Sequence, residues 1–174
     1  MRFTPTSIEG AVVVEPDPRE DERGFFARLH CPREFAAEGI EFTPLQTSLS
    51  RNTAARTLRG MHYATEPEAK LVRCVRGRML DVLFDIRRDS PSYRRTFAIE
   101  LDETGARGLF VPAGVAHGFL TLEPDTDVLY QIDRIYRPGF DAGLRWNDPA
   151  FAFQWPFAPA VIGARDETWP DFKP

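Results

Sequence analysis

Residues 78–87 read Arg78-Met79-Leu80-Asp81-Val82-Leu83-Phe84-Asp85-Ile86-Arg87. Leu80, Val82, Phe84 and Ile86 make an unbroken apolar row at every second position, and Met79, Asp81, Leu83 and Asp85 make the opposite row. A period of two marks a strand, because successive side chains leave a pleated backbone on opposite faces. Gly77 separates this run from Lys70–Arg76 as a hairpin turn does. Thr96–Leu101 repeats the pattern, with Phe97, Ile99 and Leu101 on one face. Ala11–Glu15 and Gly24–Leu29 read as further strands. Pro32–Glu38 reads as one short helix, with Pro near its start and Gly39 after its end. Elsewhere turn-forming residues recur about every 8–12 positions, the spacing of sandwiches and barrels. Two-faced strands without crossover helices predict antiparallel sheets packed face to face. The expected fold is all-β, a jelly-roll (cupin-like) sandwich or barrel with one or a few short helices. The tail from Trp146, rich in Pro and aromatics, is expected to wrap over the body without adding regular strands.

The chain has 174 residues, which fits one domain spanning 1–174. Apolar residues make up 43% and charged residues 28%, a globular rather than a disordered balance. A net charge of -4 does not favour general binding to nucleic-acid phosphates. No apolar run approaches the roughly 20 residues of a membrane span. The first residues do not read as a signal peptide, so a soluble, cytoplasmic protein is expected. Cys31 and Cys74 make no disulfide framework and no zinc site, and read as two buried thiols.

The three histidines are His30, His62 and His117. His30 precedes Cys31-Pro32 and reads as a surface or structural residue. His62 follows Gly60, which lets the backbone approach a neighbour closely. His117 ends the segment Pro112-Ala113-Gly114-Val115-Ala116-His117, one half of the pattern of metal-binding barrels. The other half needs a second His where Ala64 stands, so no metal site is expected. The cations Arg23, Arg28, Arg59, Lys70 and Arg73 read either as a convergent diphosphate site or as a solvated charged face. Phe26, Tyr130 and Tyr136 read, on pattern alone, as core rather than ligand platform.

Several segments, taken in order, resemble one family. They are Arg23-Gly24-Phe25-Phe26, Leu58-Arg59-Gly60-Met61-His62-Tyr63, Lys70-Leu71-Val72-Arg73-Cys74-Val75-Arg76-Gly77, Asp81-Val82, Asp85-Ile86-Arg87 and Ser90-Pro91. Further along come Val115-Ala116-His117-Gly118-Phe119, Leu129-Tyr130, Tyr136-Arg137-Pro138, Trp146-Asn147-Asp148-Pro149, Trp155-Pro156 and Arg165-Asp166. The ordered set covers nearly the whole chain and is similar to the dTDP-4-dehydrorhamnose 3,5-epimerases.

The resemblance implies a metal-free, cofactor-free homodimer acting on a nucleotide-linked 4-keto-6-deoxyhexose. By the same resemblance His62 is the base, Asp166 its paired carboxylate and Tyr130 the acid on the other face of the sugar. Lys70 then lies near the 4-keto oxygen, and Arg59 and His117 line the sugar pocket. Gln46 contacts the nucleotide, with Ser48 two residues on, and Tyr136 and Asp141 form the rim. Arg23 and Phe26, with Arg28 beside them, reach into the neighbouring subunit's site, which implies an exchanged N-terminal strand region. The chain departs from the family pattern at Arg28, Ser48 and Ala64. The chemistry suits these residue types: a neutral His removes a proton alpha to a ketone, a cation holds the enolate and a phenol reprotonates the opposite face. Epimerisation at one carbon only, a GDP- or CDP-linked substrate, or a non-catalytic nucleotide-sugar-binding module are the alternatives.

Overall fold

A computed structural model describes residues 1–174. Its strands are β1 (Arg2–Pro5), β2 (Val12–Glu15), β3 (Arg19–Asp21), β4 (Gly24–Phe26), β5 (Gln46–Asn52), β6 (Thr57–Ala64), β7 (Lys70–Arg76), β8 (Arg78–Asp85), β9 (Thr96–Asp102), β10 (Gly108–Val111), β11 (Val115–Thr121), β12 (Thr126–Ile132), β13 (Asp141–Gly143) and β14 (Val161–Ile162). Two short helices, α1 (Pro32–Ala37) and α2 (Ala164–Glu167), complete the set. One sheet runs β1-β2-β10-β7-β12-β5 and the second runs β13-β6-β11-β8-β9, with β14 parallel to β6. The β3–β4 hairpin stands apart as a two-stranded ribbon. The architecture is the jelly roll that the alternating pattern predicts. No helix is long and apolar enough to cross a membrane.

The core lies between the sheets. Val13, Val72, Leu109, Val111 and Val128 from the first sheet meet Met79, Leu83, Leu101, Val115 and Phe119 from the second. In β8 it is therefore the mixed row of Met79, Asp81, Leu83 and Asp85 that faces inward. The unbroken apolar row faces outward and is covered by the C-terminal tail: Leu80, Val82, Phe84 and Ile86 pack with Phe151, Phe153, Trp155 and Phe172. Phe84 and Phe151 stack with ring centroids 4.4 Å apart. Asp148 pins both ends of this wrap through the backbone N–H groups of Ala150 and Phe172. The tail does wrap the body, but it also adds β14 and α2. The outer face of the first sheet is covered by Phe35 of α1 and by Phe42 after it.

Two expectations shift. The strand expected over Gly24–Leu29 ends at Phe26, because its only partner, β3, is three residues long. Cys74 is buried, but Cys31 at the start of α1 is only half-buried. His30 is structural, set against Phe35 and Phe42 with Nε2 3.3 Å from the Phe42 carbonyl oxygen.

Asp85 ends β8 fully buried. Burial alone lifts a carboxyl pKa, but Arg87, Ser90 and Ser92 all donate to this one and bring it down to about 2. A lowered native pKa gives stability that is fully present above the unfolded carboxyl value and is lost as pH falls toward 2. Asp85→Asn is expected to cost about 2 kcal/mol at neutral pH. The loss should shrink as pH falls through that window. Urea midpoints at several pH values check it, and a pH-independent difference counts against it.

Candidate active site

The inward rows change character at one end of the sandwich. In β7 the row Cys74, Val72 ends in Lys70, and in β12 Val128 is followed by Tyr130 and Ile132. In β11, His117 lies between Val115 and Phe119. Gln46, Ser48 and Ser50 share one face of β5 by the same period. Lys70, Tyr130, Ile132, His117, Gln46, Ser48 and Ser50 line a cavity of about 340 Å³ with Arg59, His62, Tyr63, Glu68, Arg134, Tyr136, Asp141 and Arg165.

Arg59 and His62 are three residues apart, which in a regular strand puts them on opposite faces. A bulge brings both into the cavity: His117 pairs with His62 and Phe119 with Arg59, so β6 holds one residue more than β11 across the same span. Gly60 sits in the bulge at φ +124, where an added Cβ would lie 2.6 Å from the Gly118 Cα. Only glycine allows this approach.

His62 lies on the wall made by the second sheet, and its Nε2 is 2.6 Å from Asp166 Oδ1. Asp166 comes from α2 in the tail, behind the cavity. Its Oδ2 accepts the Gly60 backbone N–H at 3.0 Å, and its Oδ1 also accepts Trp169 Nε1–H at 3.2 Å. Burial raises the Asp166 pKa, but His62, Gly60 and Trp169 together hold it below the usual carboxylate value. The dyad carboxylate is thus ionised at neutral pH.

Tyr130 lies on the opposite wall, on β12 of the first sheet. Burial, with the carboxylates of Asp81 and Asp166 nearby, pushes its phenol well above the ordinary tyrosine value, against a smaller opposing effect of Arg59. It stays protonated at neutral pH and so has a proton to give. Lys70 shares this wall and is paired with Glu68 at 3.4 Å. Arg59 is steadied by Asn52 Oδ1 at 2.8 Å. His117 is buried and its Nε2 is 2.6 Å from Asp81 Oδ1. At the rim Tyr136 donates its hydroxyl to Asp141 Oδ2 at 3.1 Å, and its backbone N–H goes to Gln46 Oε1. No three His, Cys, Asp or Glu side chains come together in metal-ligand geometry. The arrangement sets an imidazole on one wall and a phenol on the other, with the cations Arg59 and Lys70 lining the same cavity.

Nine of the thirteen residues singled out in the sequence line this cavity, and Asp166 supports His62 from behind. Arg23, Phe26 and Arg28 do not join them within this chain. Arg23 is exposed and pairs with Asp21, and Arg28 pairs with Glu34 at 2.8 Å. The five cations therefore do not converge. Arg73 is on the other face of β7 from Lys70, buried beneath the carbonyls of Leu29 and Ala106, with burial lowering its pKa to about 10. The aromatic expectation also fails for Phe26, 78% exposed, and Tyr136, 55% exposed.

Sequence reasoning did not single out Ser50, Tyr63, Glu68, Ile132, Arg134, Arg165 or Trp169. Ser50 follows from the two-residue period through Gln46 and Ser48. Asp81, partner of His117, follows from the mixed row of β8. Trp169 carries no signal short of the fold.

The family model described as dTDP-4-dehydrorhamnose 3,5-epimerase matches residues 5–174. The chain is 36% identical over 173 residues to a dTDP-4-dehydrorhamnose 3,5-epimerase of Methanothermobacter thermautotrophicus, covering 97% of this chain and 93% of that one. It is 32% identical to a dTDP-4-dehydrorhamnose 3-epimerase of Streptomyces niveus, covering 96% and 82%. Among solved structures it is similar to the dTDP-4-dehydrorhamnose 3,5-epimerase of Bacillus anthracis with TDP and PPi bound. That match has a TM-score of 0.94 and 32% identity, covering 98% of this chain and 99% of that one.

Proposed function

The chain belongs to the dTDP-4-dehydrorhamnose 3,5-epimerase family, isomerases of deoxysugar biosynthesis, and from that membership we propose that it inverts C3 and C5 of dTDP-4-dehydro-6-deoxyglucose through His62, Asp166, Tyr130 and Lys70. The observation that carries the assignment of roles is the opposition of the His62–Asp166 dyad and a protonated Tyr130 across one cavity.

The proton on C3 or C5 is acidic because its loss makes an enolate with the charge on O4. His62 removes it, with Asp166 orienting the ring and stabilising the imidazolium that forms. Lys70 and Arg59 meet the charge on O4, where preorganised cations act most strongly in the transition state. Tyr130 then protonates the carbon from the other face, which inverts it. C3 and C5 both flank C4, so one base and one acid serve both centres in sequence. Gln46 and Ser48, at the end of β5 beside Tyr136, are the proposed nucleotide contacts.

Proton NMR of dTDP-4-keto-6-deoxyglucose in deuterium oxide tests this. Loss of both the H3 and H5 signals is expected. Loss of H3 alone would make the protein a 3-epimerase, the activity named for the Streptomyces niveus relative. Loss of neither would reject both.

We also propose a homodimer in which Arg23, Phe26 and Arg28 complete the partner's site. Supporting it, Phe25 and Phe26 are 52% and 78% exposed on a hairpin packed in neither large sheet. The outer strands β1 and β5 also leave unpaired edges. Light scattering after size exclusion should give twice the 19.8 kDa chain mass, and a monomer at micromolar concentration would reject the arrangement.

A further inference from the structure

Trp169 has no part in the chemistry described so far, yet its indole N–H ends on the dyad. It donates to Asp166 Oδ1 at 3.2 Å, the same oxygen that meets His62 Nε2 at 2.6 Å. The ring is held on several sides. It lies against Gly143, where an added Cβ would fall 2.4 Å from Trp169 Cε2. The Arg165 guanidinium lies over the indole, 4.7 Å from its centroid. The His62 ring stands near-perpendicular to it at 6.5 Å. A donor so confined fixes the direction of the oxygen that accepts it.

We propose that Trp169 is a positioning residue of the His62–Asp166 dyad: its N–H orients Asp166 Oδ1 toward His62 and, by sharing that oxygen, moderates how tightly the carboxylate holds the imidazolium. The inference rests on the reading of His62 as the base. A base that acts at two carbons must shed its proton between them. A carboxylate oxygen already occupied by a second donor has less charge to offer the imidazolium, so the proton leaves more readily. The lowered pKa of Asp166 agrees with this second donor.

The charged groups that share the cavity are Arg59, Lys70, Arg134 and Arg165, with Glu68 and Asp141. His62, His117, Tyr63, Tyr130 and Tyr136 also line it, and Asp81 backs His117. Trp169→Phe substitutes none of them. It keeps an aromatic ring on the Gly143 side and under Arg165, removes the N–H, and gives a smaller ring.

Two readouts test the proposal. In the substrate-free protein, the His62 Cε1–H resonance reports protonation of the dyad as a pair. With three histidines in the chain, comparison with His62→Asn assigns it. In Trp169→Phe that midpoint is expected to rise by about half a pH unit, since the freed oxygen favours the protonated pair. The acid limb of kcat/KM should move the same way. In the same variant kcat should fall roughly five- to tenfold with KM unchanged, the mark of lost alignment rather than lost binding. A wild-type midpoint together with a wild-type kcat overturns the proposal. Should near-UV circular dichroism show that Trp169→Phe does not fold, Gly143→Ala displaces the indole instead. It is expected to raise the midpoint, and an unchanged midpoint there also overturns the proposal. The NMR midpoint needs no turnover, so it is separate from the base assignment, which full activity in His62→Asn would reject.

Discussion

His62→Ala is expected to lower turnover about a thousandfold, the contribution of a positioned general base. The fold should survive. The side chain is 43% exposed, so its loss opens no sealed cavity, and Asp166 keeps the Gly60 and Trp169 donors. Deuterium uptake at C5 should disappear together with product, because the other histidine of the cavity, His117, is buried against Asp81 while His62 is open. The measurement is the substrate NMR time course beside a circular dichroism spectrum. Full exchange in a folded His62→Ala protein would remove His62 from the mechanism.

Tyr130→Phe should separate two events that the native enzyme couples. The base is untouched, so the alpha proton still leaves. His62 is exposed enough to trade that proton with solvent and return a deuteron to the same face. Inversion, which needs a donor on the opposite wall, is expected to fall roughly a hundredfold or more. Exchange with retained configuration should persist, so the ratio of exchange to inversion rises. The NMR signals at C3 and C5 give the exchange, and product coupling constants give the inversion. Equal loss of both would assign the reprotonation to another group. The half-buried Tyr130 phenol lines the cavity and its hydroxyl makes no hydrogen bond to another side chain or backbone group of the protein, so the missing oxygen leaves no orphaned donor or acceptor.

The architecture was legible because strand parity is robust. The alternation in Arg78–Arg87 and Thr96–Leu101 and the Gly77 turn give the sheets without any knowledge of their order. Which row of β8 faces the core was not legible. An unbroken apolar row looks like the interior until one knows that Phe151 and Phe172 come back to cover it. Parity also says that Lys70 and Arg73 part company, and the convergence of cations fails for that reason. It misleads for Arg59 and His62, because a bulge adds one residue between them and no local signal marks that bulge beyond Gly60. The pairing of His62 with Asp166 spans 104 positions, and only the likeness to a family joined them in the sequence. Arg23, Phe26 and Arg28 were singled out by the same likeness, and within this chain they lie away from the cavity.

The carboxylate of the dyad belongs to the last wrap of the chain, and that placement sets an order of events during biosynthesis. At roughly 5–20 residues per second, the ribosome makes Asp166 about 5–20 s after His62. Through that interval the nascent chain carries His62 without its carboxylate partner and a bare greasy stripe of Leu80, Val82 and Phe84 awaiting residues 151–172. The same docking event hides the stripe and brings Asp166 to His62. A polypeptide released early therefore carries an uncovered apolar face and lacks the Asp166 carboxylate at His62.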